Sequence, residues 1–136
     1  MNNSEKAKFG EDYVASYLSN HGYIVKKRIK GELGFDLSAE KDGVTIKVEV
    51  KTLNNRRGGI PDMHDTEFSR INNEWIFNAD FLYVLRLDGD TPCQLDILSK
   101  EEVDLYSNNH QTVTRIRTMN LDRDLFKKKV GKSITL

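Results

Sequence analysis

The sequence predicts an α/β domain built as a three-layer α/β/α sandwich around a central mixed sheet. Three observations predict it. An amphipathic stretch near the N-terminus has helical spacing. Two alternating runs are joined by Asp42-Gly43. A nearly continuous apolar run, Asp80–Leu87, reads as a strand in the centre of a sheet covered on both faces. Helical and strand periods interleave along a chain of 136 residues, and 38% hydrophobic content suits one core in a single domain over 1–136.

The first helix is expected from Ser4 to His21, with Ser4 as N-cap and Gly22 as the C-terminal stop. Ala7, Val14, Leu18 and Tyr17 form its apolar stripe. Glu11 falls in the middle of that stripe, four residues after Ala7 and three before Val14. A carboxylate there is costly unless it is paired, hydrogen-bonded, bound to a metal or able to reach water at the stripe's edge. Asp12, one step round, reads as a solvated neighbour.

The hairpin follows. Phe35, Leu37 and Ala39 alternate with Asp36, Ser38 and Glu40. After the turn, Val44, Ile46, Val48 and Val50 alternate with Thr45, Lys47, Glu49 and Lys51. Asp-Gly between two such runs specifies a two-residue turn, so Lys41 faces Val44 and Asp36 falls opposite Glu49. A one-residue slip would put Asp36 against the apolar face, and the pattern rejects it. Directly opposed side chains have Cβ atoms about 4.5–5.5 Å apart, where like charges repel. A cation between the carboxylates would turn that repulsion into a binding site, and Mg²⁺ uses one or two carboxylates together with waters and phosphates. Lys51 leaves the strand on the same face as Glu49. The competing reading is a hairpin with an ordinary solvated polar face.

Beyond it, Asn54–Pro61 reads as a loop in which glycines flank Arg56 and Arg57, suited to closing over a phosphate backbone or simply mobile at the surface. A helix is expected over Thr66–Phe77, with Phe68, Ile71 and Trp75 at helical spacing and Arg70 placed to pair with Glu74. Strand Asp80–Leu87 and the turn Asp88-Gly89-Asp90 lead to a strand at Gln94–Leu98. Ser99 then caps a short helix with Glu101 and Glu102 in its first turn. Thr112–Thr118 reads as a late edge strand and Leu121–Val130 as a final helix.

Composition narrows the function classes. The apolar runs are too short to span a bilayer and no signal-peptide core opens the chain, so a cytoplasmic location without membrane contact is expected. Cys93 is the only cysteine, and His21, His64 and His110 lack zinc-ligand spacing. Net charge is zero, which speaks against a dedicated nucleic-acid binder. The charge is segregated, however: residues 1–57 carry 11 basic and 8 acidic side chains, and 58–136 carry 10 and 13. Basic clusters occur at Lys26-Lys27-Arg28-x-Lys30, Arg56-Arg57 and Lys127-Lys128-Lys129. The last reads as a solvated face.

The order Gly10-Glu11, Leu18, Gly22-Tyr23-x-Val25, Gly34-x-Asp36, Gly43, Glu49-x-Lys51 resembles the PD-(D/E)XK nuclease superfamily, in particular its archaeal Holliday-junction-resolvase-like branch. The resemblance covers roughly residues 8 to 52. Phe35 stands where the family name has Pro. The resemblance implies a restriction-endonuclease-like fold and a deoxyribonuclease using Mg²⁺ or Mn²⁺. Asp36, Glu49 and the main-chain carbonyl of Val50 would be metal ligands, and Glu11 the helix-borne acid that supports them. Lys51 would position the attacking water, stabilise the pentacovalent phosphorus or assist water deprotonation. Lys27, Arg28, Arg56 and Arg57 are the expected nucleic-acid contacts, salt-sensitive and directed at phosphates. A homodimer or a subunit of a larger nuclease assembly is implied as well. The sequence does not separate duplex, branched or single-stranded DNA, nor DNA from RNA. The alternative is a non-catalytic DNA-binding or assembly module that keeps the fold.

Overall fold

A computed structural model of the chain describes residues 1–29, 34–54, 61–108, 118–120 and 132–136. Its frame is a six-stranded sheet. Helix α1 (Asn3–Asn20) leads into β1 (Ile24–Lys27), β2 (Leu37–Lys41) and β3 (Val44–Asn54). Short β4 (Asp62–His64), a 3-10 turn (Asp65–Glu67), β5 (Phe68–Ile71) and β6 (Glu74–Phe77) follow. The chain continues through β7 (Phe81–Asp88), β8 (Thr91–Ser99), α2 (Lys100–Asn108), β9 (Thr118–Asn120) and β10 (Lys132–Thr135). The main sheet has the order β1-β2-β3-β7-β8-β10. Only β3 and β7 run parallel, and the other pairings are antiparallel, so the sheet is mixed as expected.

Helix α1 is capped by Asn2, not Ser4. Glu5 N–H donates to Asn2 Oδ1 at 2.8 Å, and Asn2 N–H donates back to Glu5 Oε1 at 3.3 Å. This reciprocal box satisfies two amide donors, which Ser4 could not do from two residues further in. At the other end Gly22 takes φ +88°, Gly22 N–H bonds Ser19 O and Tyr23 N–H bonds Leu18 O, the double bond of a Schellman stop. The buried stripe is Gly10, Val14 and Leu18, while Ala7 is exposed. Glu11 therefore lies at the stripe's edge rather than its middle.

The hairpin has the expected register. Lys41↔Val44 closes a turn in which Asp42 and Gly43 both have positive φ, and Leu37 pairs with Val48. Its apolar residues Leu37, Ala39, Val48 and Val50 pack with Val14 and Leu18 of α1 and with Tyr83, Leu85, Leu87 and Leu95. On the opposite face, Leu82, Val84 and Leu98 pack with Phe35, Met63, Phe68, Phe77, Val103 and Tyr106. Both faces of the sheet are thus covered, α1 on one and α2 with the β5–β6 hairpin on the other. That explains why β7 is apolar almost throughout.

The helix expected over Thr66–Phe77 is instead the 3-10 turn and the β5–β6 hairpin. Phe68 pairs with Phe77 and Arg70 with Trp75 across a turn in which Asn72 and Asn73 have φ of 50° and 64°. The 68, 71, 75 spacing fits a helix, but Phe68, Trp75 and Phe77 also fall on one face of a hairpin. There Phe68 packs edge-on to Trp75 and tilted on Phe77. Arg70 lies over the Trp75 ring at 4.8 Å, so the expected pairing with Glu74 gives way to a cation–π contact.

Ser99 caps α2 as expected. Glu102 N–H donates to Ser99 Oγ, and Ser99 N–H donates to Glu102 Oε1. The helix is tied to β6 through Phe77 N–H to Asp104 Oδ1 at 2.6 Å and Lys100 Nζ to Phe77 O. Strand β8 is longer than Gln94–Leu98 at both ends. Thr118 belongs to β9, which pairs with β4; the rest of the expected strand Thr112–Thr118 and the helix Leu121–Val130 lie outside the described residues.

Candidate active site

The site forms where β2 stops and β3 continues. The β2–β3 ladder ends at Leu37↔Val48, while β3 runs on to Asn54 with β7 on its other side. From Glu49 onward the outer edge of β3 has no strand partner among the described residues. A cavity of about 550 Å³ lies along this edge. Glu11, Asp36, Glu49, Val50 and Lys51 all line it, so the expected convergence is present, and Lys6, Thr52, Asp62 and His64 line it too.

Each acid is placed by backbone chemistry. Asp36 N–H donates to Val48 O and Asp36 O accepts from Arg28 N–H, both at 2.9 Å. Its carboxylate then stands in for the missing strand, because Oδ2 accepts Val50 N–H at 2.8 Å. Gly34 makes the preceding bend with φ +89°, and a β-carbon there would lie 2.7 Å from Asn78 Cβ. Glu49 and Lys51 project from β3 on the side of β7 residues Leu82 and Val84. Glu11 arrives from the other layer, because Gly10 lets α1 lie directly against Thr52 of β3.

The polar face of the hairpin is not solvated here, since Glu49 is only 6% exposed. Burial, then the charges of Asp36 and Glu67, then a hydrogen bond to Asp36, push the Glu49 carboxyl well above its ordinary value; Lys51 opposes them. Burial and then the Asp36 charge also raise Glu11. These are the signatures of carboxylates crowded without enough positive charge.

Lys51 is not simply beside Glu49. Its Nζ lies 2.5 Å from Glu67 Oε1 and 3.9 Å from Glu49 Oε1. Glu67 is 7% exposed and was not among the expected site residues. In a Thr66–Phe77 helix it would have been an ordinary first-turn acid. The Asn72-Asn73 pair between alternating runs is the sequence signal that would have exposed the hairpin and freed the turn. His64, which lacks zinc-ligand spacing in the sequence, lines the cavity and is exposed.

The basic residues divide. Lys27 is committed to Asp12 at 2.5 Å, so Asp12 is an ion-pair partner rather than a solvated bystander. Lys27 and Arg28 are exposed and do not line the cavity, although their charges lower the Glu11 carboxyl. Arg56 and Arg57 lie outside the described residues.

No family model matches the chain. A UPF0102 protein of Phocaeicola vulgatus is 33% identical over 100 residues, covering 71% of this chain and 78% of that protein. Another, from Clostridioides difficile, is 30% identical over 101 residues, covering 72% and 86%. The chain belongs to the UPF0102 family. A UPF0102 protein of Dictyoglomus turgidum is 44% identical over 63 residues, a match that spans 45% of this chain and about half (53%) of the relative. Among solved structures, a bacterial homing endonuclease, I-Ssp6803I, superposes with TM-score 0.53 at 12% identity, over 89% of this chain and 78% of that one. This UPF0102 chain therefore shares its fold with an endonuclease. Among its described residues no helix is long and apolar enough to cross a membrane.

Three His, Cys, Asp or Glu side chains close enough to cage a metal alone are not found among the described residues. The donor set nonetheless suits a hard divalent ion, which needs one or two carboxylates and takes its other ligands from carbonyls, waters and phosphates. Asp36, Glu49 and Val50, all lining the one cavity, offer two carboxylates and a main-chain carbonyl toward that set.

Proposed function

We propose that this chain is a divalent-cation-dependent deoxyribonuclease that hydrolyses phosphodiester bonds, with Mg²⁺ or Mn²⁺ held by Asp36, Glu49 and the Val50 carbonyl and supported by Glu11. The observation that carries this reading is that Glu49, only 6% exposed, shares one cavity with Asp36 and Glu11. Glu49 faces Lys51 at 3.9 Å, while that lysine is drawn more closely to Glu67. Like charges held together in low dielectric are costly, and a bound cation relieves the cost.

When bound, the ion supplies charge neutralisation on the phosphate and a more acidic attacking water. The protein's own groups do the rest. Asp36 and Glu49 fix where the scissile phosphate can sit, at the open edge of β3. Lys51 brings its ammonium toward the same edge, where it donates to a non-bridging phosphate oxygen as negative charge develops. Water adds to phosphorus and loses a proton, the bond from phosphorus to the 3′ oxygen breaks, and that oxygen takes up a proton. Half-buried Lys6, which lines the cavity, and exposed Lys27 and Arg28, which lie outside its lining, suit salt-sensitive phosphate contact. We place the chain in the cytoplasm, as a homodimer or a subunit of a larger assembly.

The test is cleavage of a panel of duplex, branched and single-stranded DNA and of RNA, with Mg²⁺, Mn²⁺ or EDTA. Metal-dependent cutting that disappears in Asp36→Asn, Glu49→Gln and Lys51→Ala is expected. Equal cutting by Lys51→Ala would remove the mechanism. Binding of DNA without cutting under any metal would leave a binding module.

A further inference from the structure

We propose that Glu67 is the positioning residue for Lys51, holding its ammonium at the open edge of β3; this rests on the nuclease reading of the site. Glu67 lies outside the Asp36, Glu49-x-Lys51 pattern, on a turn between β4 and β5, and reaches the site from the α2 side of the sheet.

Both of its oxygens are engaged. Oε1 accepts from Lys51 Nζ at 2.5 Å, and Oε2 accepts His64 N–H at 3.2 Å. A carboxylate held by a main-chain amide has a fixed direction, and a long flexible lysine bonded to it inherits that direction. The turn that carries Glu67 is itself locked to the arm that carries Asp36. Asn78 N–H donates to Glu67 O at 2.9 Å and Asn78 Nδ2 to Thr66 O at 3.4 Å, while Ser69 Oγ donates to Asn78 Oδ1 at 2.6 Å. The same Asn78 side chain packs so tightly on Gly34 that a β-carbon there would clash with it. Asn78 therefore sets the Asp36 arm and the Glu67 arm against each other, and Lys51 spans the gap between Glu49 and Glu67.

The pairing also assigns a role among those open to Lys51. An ammonium bonded to one buried carboxylate and facing a second is arranged as a charge donor to phosphate rather than as an acceptor of the water's proton. Removing Glu67 should leave substrate and metal binding in place and lower the chemical step.

The experiment measures kcat and KM on the substrate that the wild-type chain cuts best, for Glu67→Asp and Glu67→Gln, with a Mg²⁺ titration followed both by activity and by melting temperature. The expected result is kcat lowered about 10–100-fold in Glu67→Gln, the usual loss when the partner orienting an active-site group is removed. Glu67→Asp should fall between that variant and the wild type, with KM and the Mg²⁺ midpoint unchanged. In melting, Glu67→Gln should cost less in a Lys51→Met background than alone, which tests the pair without any activity. Unchanged or increased kcat would overturn the proposal, the latter making Glu67 a latch. A shifted Mg²⁺ midpoint would make Glu67 a ligand and also overturn it, as would independent effects in the melting cycle. If the wild type cuts nothing in the panel, the nuclease reading falls and the proposal with it; coupling in the melting cycle would then mark the pair as structural.

Discussion

A β-carbon on Gly10 would fall 1.8 Å from Oγ1 of Thr52, so helix α1 and strand β3 touch backbone to side chain beside the acid cluster. Glu11 follows Gly10 directly, and this contact is what brings a helix-borne acid to Asp36. The Thr52 hydroxyl is buried and makes no hydrogen bond among the described residues.

Gly10→Ala should therefore destabilise the protein, although Ala for Gly inside a helix ordinarily gains about 1 kcal/mol. Overpacking costs about 1–3 kcal/mol and here it wins, because the clash is with a strand in the middle of the sheet. Thermal melting should show a fall of several degrees. Adding Thr52→Ala should restore most of it, since the nearest remaining contact is then 3.1 Å, to the Cβ. Additive losses in the double variant would refute the contact.

The buried acid predicts an unusual pH profile. The folded-state pKa of Glu49 is raised above its ordinary 4.5, chiefly by burial and by Asp36. A group raised on folding binds its proton more tightly in the native state. Its contribution to stability is full below the unfolded value and is lost as pH rises from there through the folded value. Metal-free protein should therefore lose stability as pH rises above about 4.5, in the direction opposite to ordinary paired carboxylates. Glu49→Gln should flatten that slope and raise the melting temperature near neutral pH in EDTA. Denaturant melts across pH check both, and a wild-type slope that survives in Glu49→Gln assigns it elsewhere.

Asn73 has φ 64° in the β5–β6 turn, a conformation that glycine adopts without strain. Asn73→Gly should be neutral or stabilising by a few tenths of a kcal/mol. In a Thr66–Phe77 helix the same change would instead destabilise by about 0.1–0.3 kcal/mol, because glycine stands below asparagine in helix propensity. A clear loss in melting temperature would argue for the helix.

Arg86 and Asp96 form a buried ion pair at 2.9 Å, and Asp96 Oδ1 also accepts from Gln94 Nε2 and Ser133 Oγ. Asp96→Ala removes the acceptor for three donors and should cost about 3–5 kcal/mol. Because Ser133 lies on β10, the variant should also loosen that strand, seen as faster amide exchange over Lys132–Thr135. Wild-type exchange there would show that β10 is held by its ladder to β8 alone.

The sequence by itself determined the β2–β3 register, and with it half of the site. Alternation has a period of two, Asp42-Gly43 admits a tight turn, and together they leave Asp36 nowhere to go but opposite Glu49. It also determined the central position of β7, from its apolar run, and the capping of α2 by Ser99. Tertiary structure decided what local pattern leaves degenerate. Phe68, Ile71 and Trp75 satisfy a helical spacing, yet packing against Phe77 and α2 selects a hairpin. Ala7 looked as apolar as Val14, but the stripe is set by where Gly10 meets Thr52. Most of all, the partner of Lys51 lies 16 residues away on a turn that only long-range packing positions. Hydrogen bonds within a hairpin are specified by neighbours in the chain, whereas an ion pair across two layers exists only once Asn78 and Gly34 have brought those layers together.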